Sequence, residues 1–542
     1  MADPFLEALP TTSLAGNAES APVLERSGAM WTVMLASAVY SGSFIYKTSF
    51  VVDGVRHFSL FDDAMISMRY ARNLATGYGL VWNPLGERVE GYTNPLWVLY
   101  MAVLHWLPVP ASKISLFVQI TGLVFLLLNL YFVRRIAHLV SDDPGQVSLG
   151  ALVLTAFYLP LVDWSLQGME VSVLTCLTSW TVWLTLRNLR TRKFSALPYA
   201  VLGVGTLVRL DMAVPFAVVW GFLWFKDREN RTLHFCFGCA ILTASLMLQT
   251  GFRLWYFGDP LPNTYYLKMT GYPAILRVTR GIYVLLKFSV QMGIALFLLP
   301  FLALSLRRDL AARLLLYVFS GQLVYSVYVG GDAWEEWGGS NRYITVAMPL
   351  FFILLARALF DLSSLVRYRD PLSRLHVPAY VALILSALLS LNCIYGADAL
   401  GEWALRTRPR HVSTNQAHVE LAYVIREVTR PGATIAVTMA GTLPYFADRV
   451  AIDLLGKADR YVAHTPMKTF SGLRSLIWFT PGHLKWDVAH SIGSLRPDVV
   501  VSLGAFEEEA QQFVANDYRK VATRGKVFYV REGSENVRWD AL

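Results

Sequence analysis

The sequence predicts a polytopic α-helical membrane protein of about eleven spans, followed by a water-facing α/β domain. Three observations predict it. Apolar and aromatic residues make up 55% of the 542-residue chain and charged residues 16%, against roughly 45–50% and 25% in average globular chains. The apolar residues fall in runs of spanning length between Ala29 and about residue 396, with 16 Trp and 26 Tyr available for the membrane interfaces. From Ala397 to Leu542 those runs cease, and 18 basic residues nearly balance 16 acidic ones. Most of the formal net charge of +9 therefore lies in the apolar part. There it orients helices rather than pointing to a nucleic-acid partner.

Residues 1–28 lack the basic start and small-residue cleavage site of a signal peptide, so the run from Ala29 is expected to remain as an anchor with 1–28 in the cytoplasm. A hydrocarbon core of about 30 Å needs about 20 apolar residues in helix. That filter places spans near 29–50, 113–133, 146–163, 170–186, 195–209, 212–225, 233–256, 281–305, 311–329, 343–360 and 377–396, a core of 29–396. Residues 51–112 form the first outer loop. Within it Pro95–Leu107 is too short to span and reads as an interfacial helix, with Asn94 as its N-cap and Pro95 at the first helical position. The inner connections then hold Arg134-Arg135, Arg187 to Lys193, Lys226 to Arg231, Arg307 to Arg313 and Arg367 to Arg374, as the positive-inside rule requires. An odd number of spans leaves 397–542 on the outer side. This tail reads as mixed α/β: a helix over Asn415–Thr429 and short strands at Thr434–Val437, Val499–Val501 and Val527–Val530. The four cysteines, Cys176, Cys236, Cys239 and Cys393, all lie in apolar runs and imply no disulfide framework; Cys236 and Cys239 have the spacing of half a zinc site without a second pair. They are expected as buried thiols.

Polar residues that hydropathy does not explain gather at the outer ends of the spans. They are Asp62 and Asp63 with Arg69, Arg72 and Asn73; Glu90, Tyr92 and Asn94; Glu170; Arg209 and Asp211; Asn263, Tyr265 and Lys268; and Asp332 to Glu336 leading to Arg342. Ionisable groups beside lipid are costly, so function is their default reading. An acid pair among several cations at one membrane surface suits glycosyl transfer from a phosphate-linked lipid. A carboxylate deprotonates the acceptor hydroxyl, and cations stabilise the departing phosphate. Phosphate leaves without being protonated, so one base suffices and direct attack inverts the anomeric centre. Plainer roles compete at each position: Asp62 and Asp63 as helix caps, Arg69 and Arg72 as snorkelling cations, Glu170 as a first-turn acid, Gly258–Pro262 as a turn, and the loop with Trp334 and Trp337 as an aromatic belt.

The stretch FDDAMISMRYARNLATGYGLVWNPLGERVEGYTNPLW, with GDPLPNTYYLK, GGD, DLLGKAD and PGHLKWD in order after it, resembles the bacterial GT-C glycosyltransferases. Within them it is most similar to the terminal β-1,2-arabinofuranosyltransferases of mycobacterial cell-wall synthesis. The resemblance implies a multi-helix GT-C-like membrane core in a bacterial cytoplasmic membrane, a polyprenyl-phosphate-sugar donor, a glycan acceptor and an outer C-terminal domain. It implies Asp62 and Asp63 as the catalytic acids, Glu90 as a sugar or acceptor contact, and Arg209, Lys268 and Arg342 as phosphate or headgroup contacts. His483 and Lys485 fall in the tail motif, where the domain closes over the site. Arg209-Leu210-Asp211 departs from an Arg-Pro-Asp turn common among relatives. The residues single out no cofactor, and a divalent metal beside the acid pair is left open. A hexosyl transferase would look alike at this level. A transporter would show inverted repeats and mid-bilayer charges on broken helices, neither of which the sequence displays.

Overall fold

The computed structural model describes residues 22–305, 309–335, 339–367, 375–393, 397–468 and 479–542. Residues 1–21 of the N-terminal segment, together with Arg307, Arg308, Glu336, Trp337, Arg369 and Arg374, lie outside the described residues. The chain opens with helix α1 (Pro22–Thr48) and a hairpin of β1 (Phe50–Val52) and β2 (Val55–His57), whose turn uses Asp53 and Gly54 at positive φ. The first loop carries α2 (Asp62–Ala75) and α3 (Pro95–Leu104). The membrane core continues through α4 (Ala111–Val140), α5 (Pro144–Ala156), α6 (Leu159–Leu166), α7 (Val171–Thr191), α8 (Leu197–Val208), α9 (Ala213–Lys226) and α10 (Arg231–Phe257). After the short α11 (Asn263–Lys268) come α12 (Ala274–Met292), α13 (Ile294–Ser305), α14 (Leu310–Val329), α15 (Arg342–Thr345), α16 (Met348–Arg367) and α17 (His376–Asn392).

Helix covers most of each expected span among the described residues, but length separates them. Among the described residues five helices are long and apolar enough to cross a membrane, or up to seven if each of two bent pairs is one span. One pair is α5 with α6, bent by 51°; the other is α12 with α13, bent by 96°. The spans expected as single helices at 146–163 and 281–305 are thus corrected: each is a bent pair. Gly293 at φ 89° ends α12, and the chain turns sharply into α13. The segments α8 and α9, of 12 and 14 residues, reach only about 18–21 Å at 1.5 Å per residue, less than the hydrocarbon thickness. The molecule is a polytopic α-helical membrane protein, and these short helices pack within it. Cys236 and Cys239 are exposed on α10 rather than buried, and all four thiols are free.

The tail begins with α18 (Ala397–Trp403) and α19 (His411–Val428). It then alternates β3 (Thr434–Val437), α20 (Thr442–Ala447), β4 (Val450–Asp453), α21 (Arg460–His464), β5 (Val499–Val500), α22 (Glu507–Asp517), β6 (Tyr518–Thr523) and β7 (Lys526–Arg531). The five strands run in the order β4-β3-β5-β7-β6. The first three are parallel, and β7 and β6 close the sheet antiparallel. Strand periodicity sorts the core into two layers. Ile435, Val437, Phe528 and Val530 pack on the α19 and α20 side, while Ala436, Val500, Leu503 and Tyr518 pack with Ala510 and Val514 of α22.

The tail docks directly on the first loop. Asn83 exchanges two hydrogen bonds with the backbone of Ala451, the Trp82 indole donates to Ala440 O, and Asn415 donates to Leu60 O. First loop and tail therefore share one face of the membrane core.

Candidate active site

Asp62 and Asp63 open α2, yet their carboxylates point to different partners, as consecutive helical residues about 100° apart must. Asp62 is buried and accepts the N–H groups of Gly441 at 3.2 Å and Thr442 at 2.8 Å. It caps a helix as the plainer reading holds, but the helix is α20 of the tail, 380 residues away. Gly441 makes this approach feasible, because a Cβ there would stand 2.0 Å from Asp62 O.

Asp63 faces cations instead. Lys457 Nζ donates to one oxygen at 2.8 Å and Arg342 to the other at 3.1 Å. Burial would raise this carboxyl, but Lys457, Arg342 and Lys268 outweigh it and hold it well below the usual carboxylate range. Arg342 in turn pairs with Asp332, Nε to Oδ2 at 2.6 Å and a second nitrogen to Oδ1 at 2.8 Å. Asn341 caps α15 through Tyr343 N and Ile344 N, which fixes Arg342 at its first position.

Lys268, which faces Asp63, and Asp332, the partner of Arg342, also line a cavity of about 120 Å³ with Arg209, Asp211, Arg253 and Tyr265, among others; Asp63 itself is not in its lining. Arg209 is oriented by Glu170 at 2.5 Å and Asp211 at 2.8 Å, and it lies over the Tyr343 ring. Asn94 donates to Glu170 and accepts from Ser67, so its side chain positions that pair and does not cap α3 as expected. Glu90 is bound by Arg253 at 2.7 Å. Lys268 differs from the other cations. Its ammonium has no hydrogen-bond or ion-pair partner among the described residues, and its stem packs under Gly482. Burial, then the charge of Arg342, lowers it to about 8. His483 sits in the same field, its ring edge-on to Trp334; burial and Lys457 push it down to about 4, so it is neutral at physiological pH.

Four expected contacts are turned toward other parts of the protein in this geometry. Arg69 is buried and commits four of its five N–H donors to the carbonyls of Trp82, Pro444 and Arg449 and to Asn83. The Tyr92 ring packs edge-on against Tyr70 and Phe257. Asn263 donates to the carbonyls of Gly456, Lys457 and Asp459 and so positions the segment bearing Lys457. Lys485 donates to Tyr266 O and Ala463 O, joining α11 to α21. Two cations were not singled out in the sequence. Arg253 lay hidden in an apolar run, where an intramembrane charge is itself a signal, and Lys457 stood unremarked inside DLLGKAD. Among the described residues no group of three or more His, Cys, Asp or Glu could hold a metal ion. The surroundings of Asp63 do not fit a divalent cation, since Lys457, Arg342 and Lys268 already stand there.

Residues 406–539 match a family described as a domain of unknown function, DUF8728. A terminal β-(1→2)-arabinofuranosyltransferase of Mycobacterium tuberculosis is 26% identical over 332 residues, 54% of this chain and 51% of that protein. The chain thus spans about half the length of that relative. The ArnT structure from Cupriavidus metallidurans bound to undecaprenyl phosphate aligns with a TM-score of 0.56 at 12% identity, over 95% of this chain and 99% of that one. The Archaeoglobus fulgidus oligosaccharyltransferase AglB, in complex with an inhibitory peptide and a dolichol-phosphate, gives 0.57 at 12% identity, over 93% and 74%. The fold is therefore the GT-C-like one expected from the motifs: a polytopic helical core with a C-terminal domain built around a sheet.

Proposed function

We propose that this chain is an integral membrane glycosyltransferase that transfers a sugar, arabinofuranose, from a polyprenyl-phosphate donor to a glycan acceptor on the outer side of a bacterial cytoplasmic membrane. The observation that carries this reading is Asp63, held between Lys457 and Arg342, with the uncommitted Lys268 facing this acid and lining the adjoining cavity. The polyprenyl phosphate bound by ArnT and the dolichol-phosphate bound by AglB support the donor class. The arabinofuranosyl relative supports the sugar, and the charge asymmetry of the loops supports the side.

The donor phosphate lies against Lys268 and Arg342. Asp63 takes the proton of the acceptor hydroxyl as its oxygen attacks the anomeric carbon. The bond from that carbon to the phosphate oxygen breaks, and the phosphate leaves with the electron pair, stabilised by the same cations. Three cations face Asp63 and hold its basicity down. An arriving phosphate draws off part of their charge and raises its basicity. Asp62 keeps the tail seated and α2 in place.

The test is transfer by purified protein in oriented vesicles. Polyprenyl-phosphoryl arabinofuranose in the membrane and a short acceptor glycan added outside should give a product one pentose heavier, in right-side-out vesicles only. Full transfer from a nucleotide sugar without lipid carrier would reject the donor. Product from polyprenyl-phosphoryl mannose alone would reject the sugar, and product from inverted vesicles alone would reject the side.

The Lys268 ammonium also sets a pH dependence. With its free-enzyme value near 8, donor kcat/KM is expected to fall as pH rises through about 8, because the phosphate then meets a neutral amine. Lys268→Arg, which stays charged, should flatten that limb. A wild-type profile flat from pH 7 to pH 9.5 would contradict the contact.

A further inference from the structure

The tail's two central strands part company at their carboxyl ends. From β3 the chain enters α20 on the α19 face and returns as β4, whereas from β5 it enters α22 on the opposite face and returns as β6. Adjacent parallel strands whose outgoing helices lie on opposite faces leave a crevice between their loops, the position where open α/β sheets take ligands. Here that crevice has a volume of about 400 Å³ and is lined by the ends of both strands, Val437 and Val501, and by residues of β6 and β7.

Its chemistry is mixed and close to neutral. Thr438 and Ser502 offer hydroxyls, Glu507 a carboxylate without an ion-pair partner among the described residues, and Lys520 an ammonium 5.7 Å from the centre of the Tyr529 ring. His418 brings a ring whose Nδ1 has no hydrogen-bond partner among the described residues. The floor is apolar, formed by Leu421, Leu443 and Leu503. An anion is disfavoured, because the first turn of α22 carries Glu507, Glu508 and Glu509, which offset the positive end of the helix. Scattered donors and acceptors around an aromatic ring and an aliphatic floor match a neutral sugar, which has hydroxyls on its rim and C–H groups on its faces. A crevice of this size takes a ligand larger than one monosaccharide.

We infer that this crevice between β3 and β5 is a second carbohydrate subsite, holding a few residues of the acceptor glycan away from the end being extended. The inference rests on the proposed glycosyl transfer for the identity of the ligand. Its position supports the role. The loop leaving β3 runs from Thr438 through Gly441 and Thr442, whose N–H groups hold Asp62 next to the proposed base. A polymer held there stays within reach of the site between encounters.

The experiment uses the full chain in detergent micelles without donor and measures binding of neutral arabino- and manno-oligosaccharides of two to six residues. Binding is expected for the wild type and should weaken roughly tenfold in Tyr529→Ala, the effect of losing one stacking ring. Glu507→Gln and Thr438→Val, at positions whose loss leaves the core intact, should weaken it severalfold. In transfer assays the same variants should raise KM for long acceptors and leave kcat and the KM of a disaccharide acceptor unchanged. No oligosaccharide binding, equal binding by all three variants, or displacement of the sugar by inorganic phosphate would each overturn the subsite. Failure of the transfer reading is separable, since it shows in Asp63→Asn turnover, and Asp63 does not line this crevice.

Discussion

Asp63→Asn is expected to lower kcat by about 10²–10⁴-fold, the usual contribution of a general base. Asn keeps the shape and one acceptor oxygen for Lys457 or Arg342, so the variant should still fold. It should also bind the lipid donor as well as the wild type or better, because a negative charge beside the phosphate has been removed. That combination separates chemistry from structural damage, which would weaken binding too. Asp62→Asn should behave in the opposite way. Its carboxylate holds two backbone N–H groups of the tail, and Asn, itself a good cap, retains one of them at a loss of at most about 2 kcal/mol. Turnover within about tenfold of wild type and a modestly lower Tm are the expected readings. If Asp63→Asn retains near-normal turnover, the base is not Asp63 and the mechanism proposed for this site fails.

The acid pair was legible in the sequence, but the division of labour within it was not. Asp62 and Asp63 look equivalent because their partners are supplied by residues near 441 and 457, and nothing local to Phe61-Asp62-Asp63 announces them. The same distance hid the cations. Arg253 reads as the end of an apolar run until Glu90, 163 residues earlier, is placed against it. Lys457 reads as a solvated tail lysine until Asp63, 394 residues earlier, meets it. The helices were legible because a long apolar run constrains its own conformation. The turn at Gly293 was not, since one glycine in an apolar run fits a continuous helix as well as a break. In the tail, β4 and β6 are not legible because VAID and YRKVAT owe their strand conformation to pairing with β3 and β7 more than to their own pattern.

Arg69→Met is expected to destabilise the tail's attachment by about 1–3 kcal/mol or somewhat more, the scale of leaving a buried hydrogen-bond acceptor unsatisfied. The Arg69 guanidinium is almost wholly buried, 1% exposed, with no carboxylate against it. Burial, then Arg72, lowers it to about 9. What holds it there is the set of oxygens it satisfies: Trp82 O at 2.6 Å and Asn83 Oδ1 at 2.8 Å within the first loop, Arg449 O at 2.8 Å and Pro444 O in the tail. Methionine fills the volume but takes the donor from Arg449 O and weakens the bonding of the rest: Trp82 O keeps Asn73, Asn83 Oδ1 keeps Ala451 N–H and Pro444 O keeps a long bond from Asp448 N–H; each buried oxygen left unsatisfied costs roughly 1–3 kcal/mol. Lysine should rescue little, because one ammonium cannot reproduce the planar fork that bridges loop and tail. The readouts are Tm and limited proteolysis across 397–410, which should accelerate in Arg69→Met and Arg69→Lys alike. Transfer should fall with them, since unseating the tail withdraws Lys457 from Asp63. A headgroup-binding Arg69 would give a different pattern, with unchanged Tm, unchanged proteolysis and a raised donor KM that lysine partly restores. That outcome would return Arg69 to the substrate and undo the structural role assigned to it.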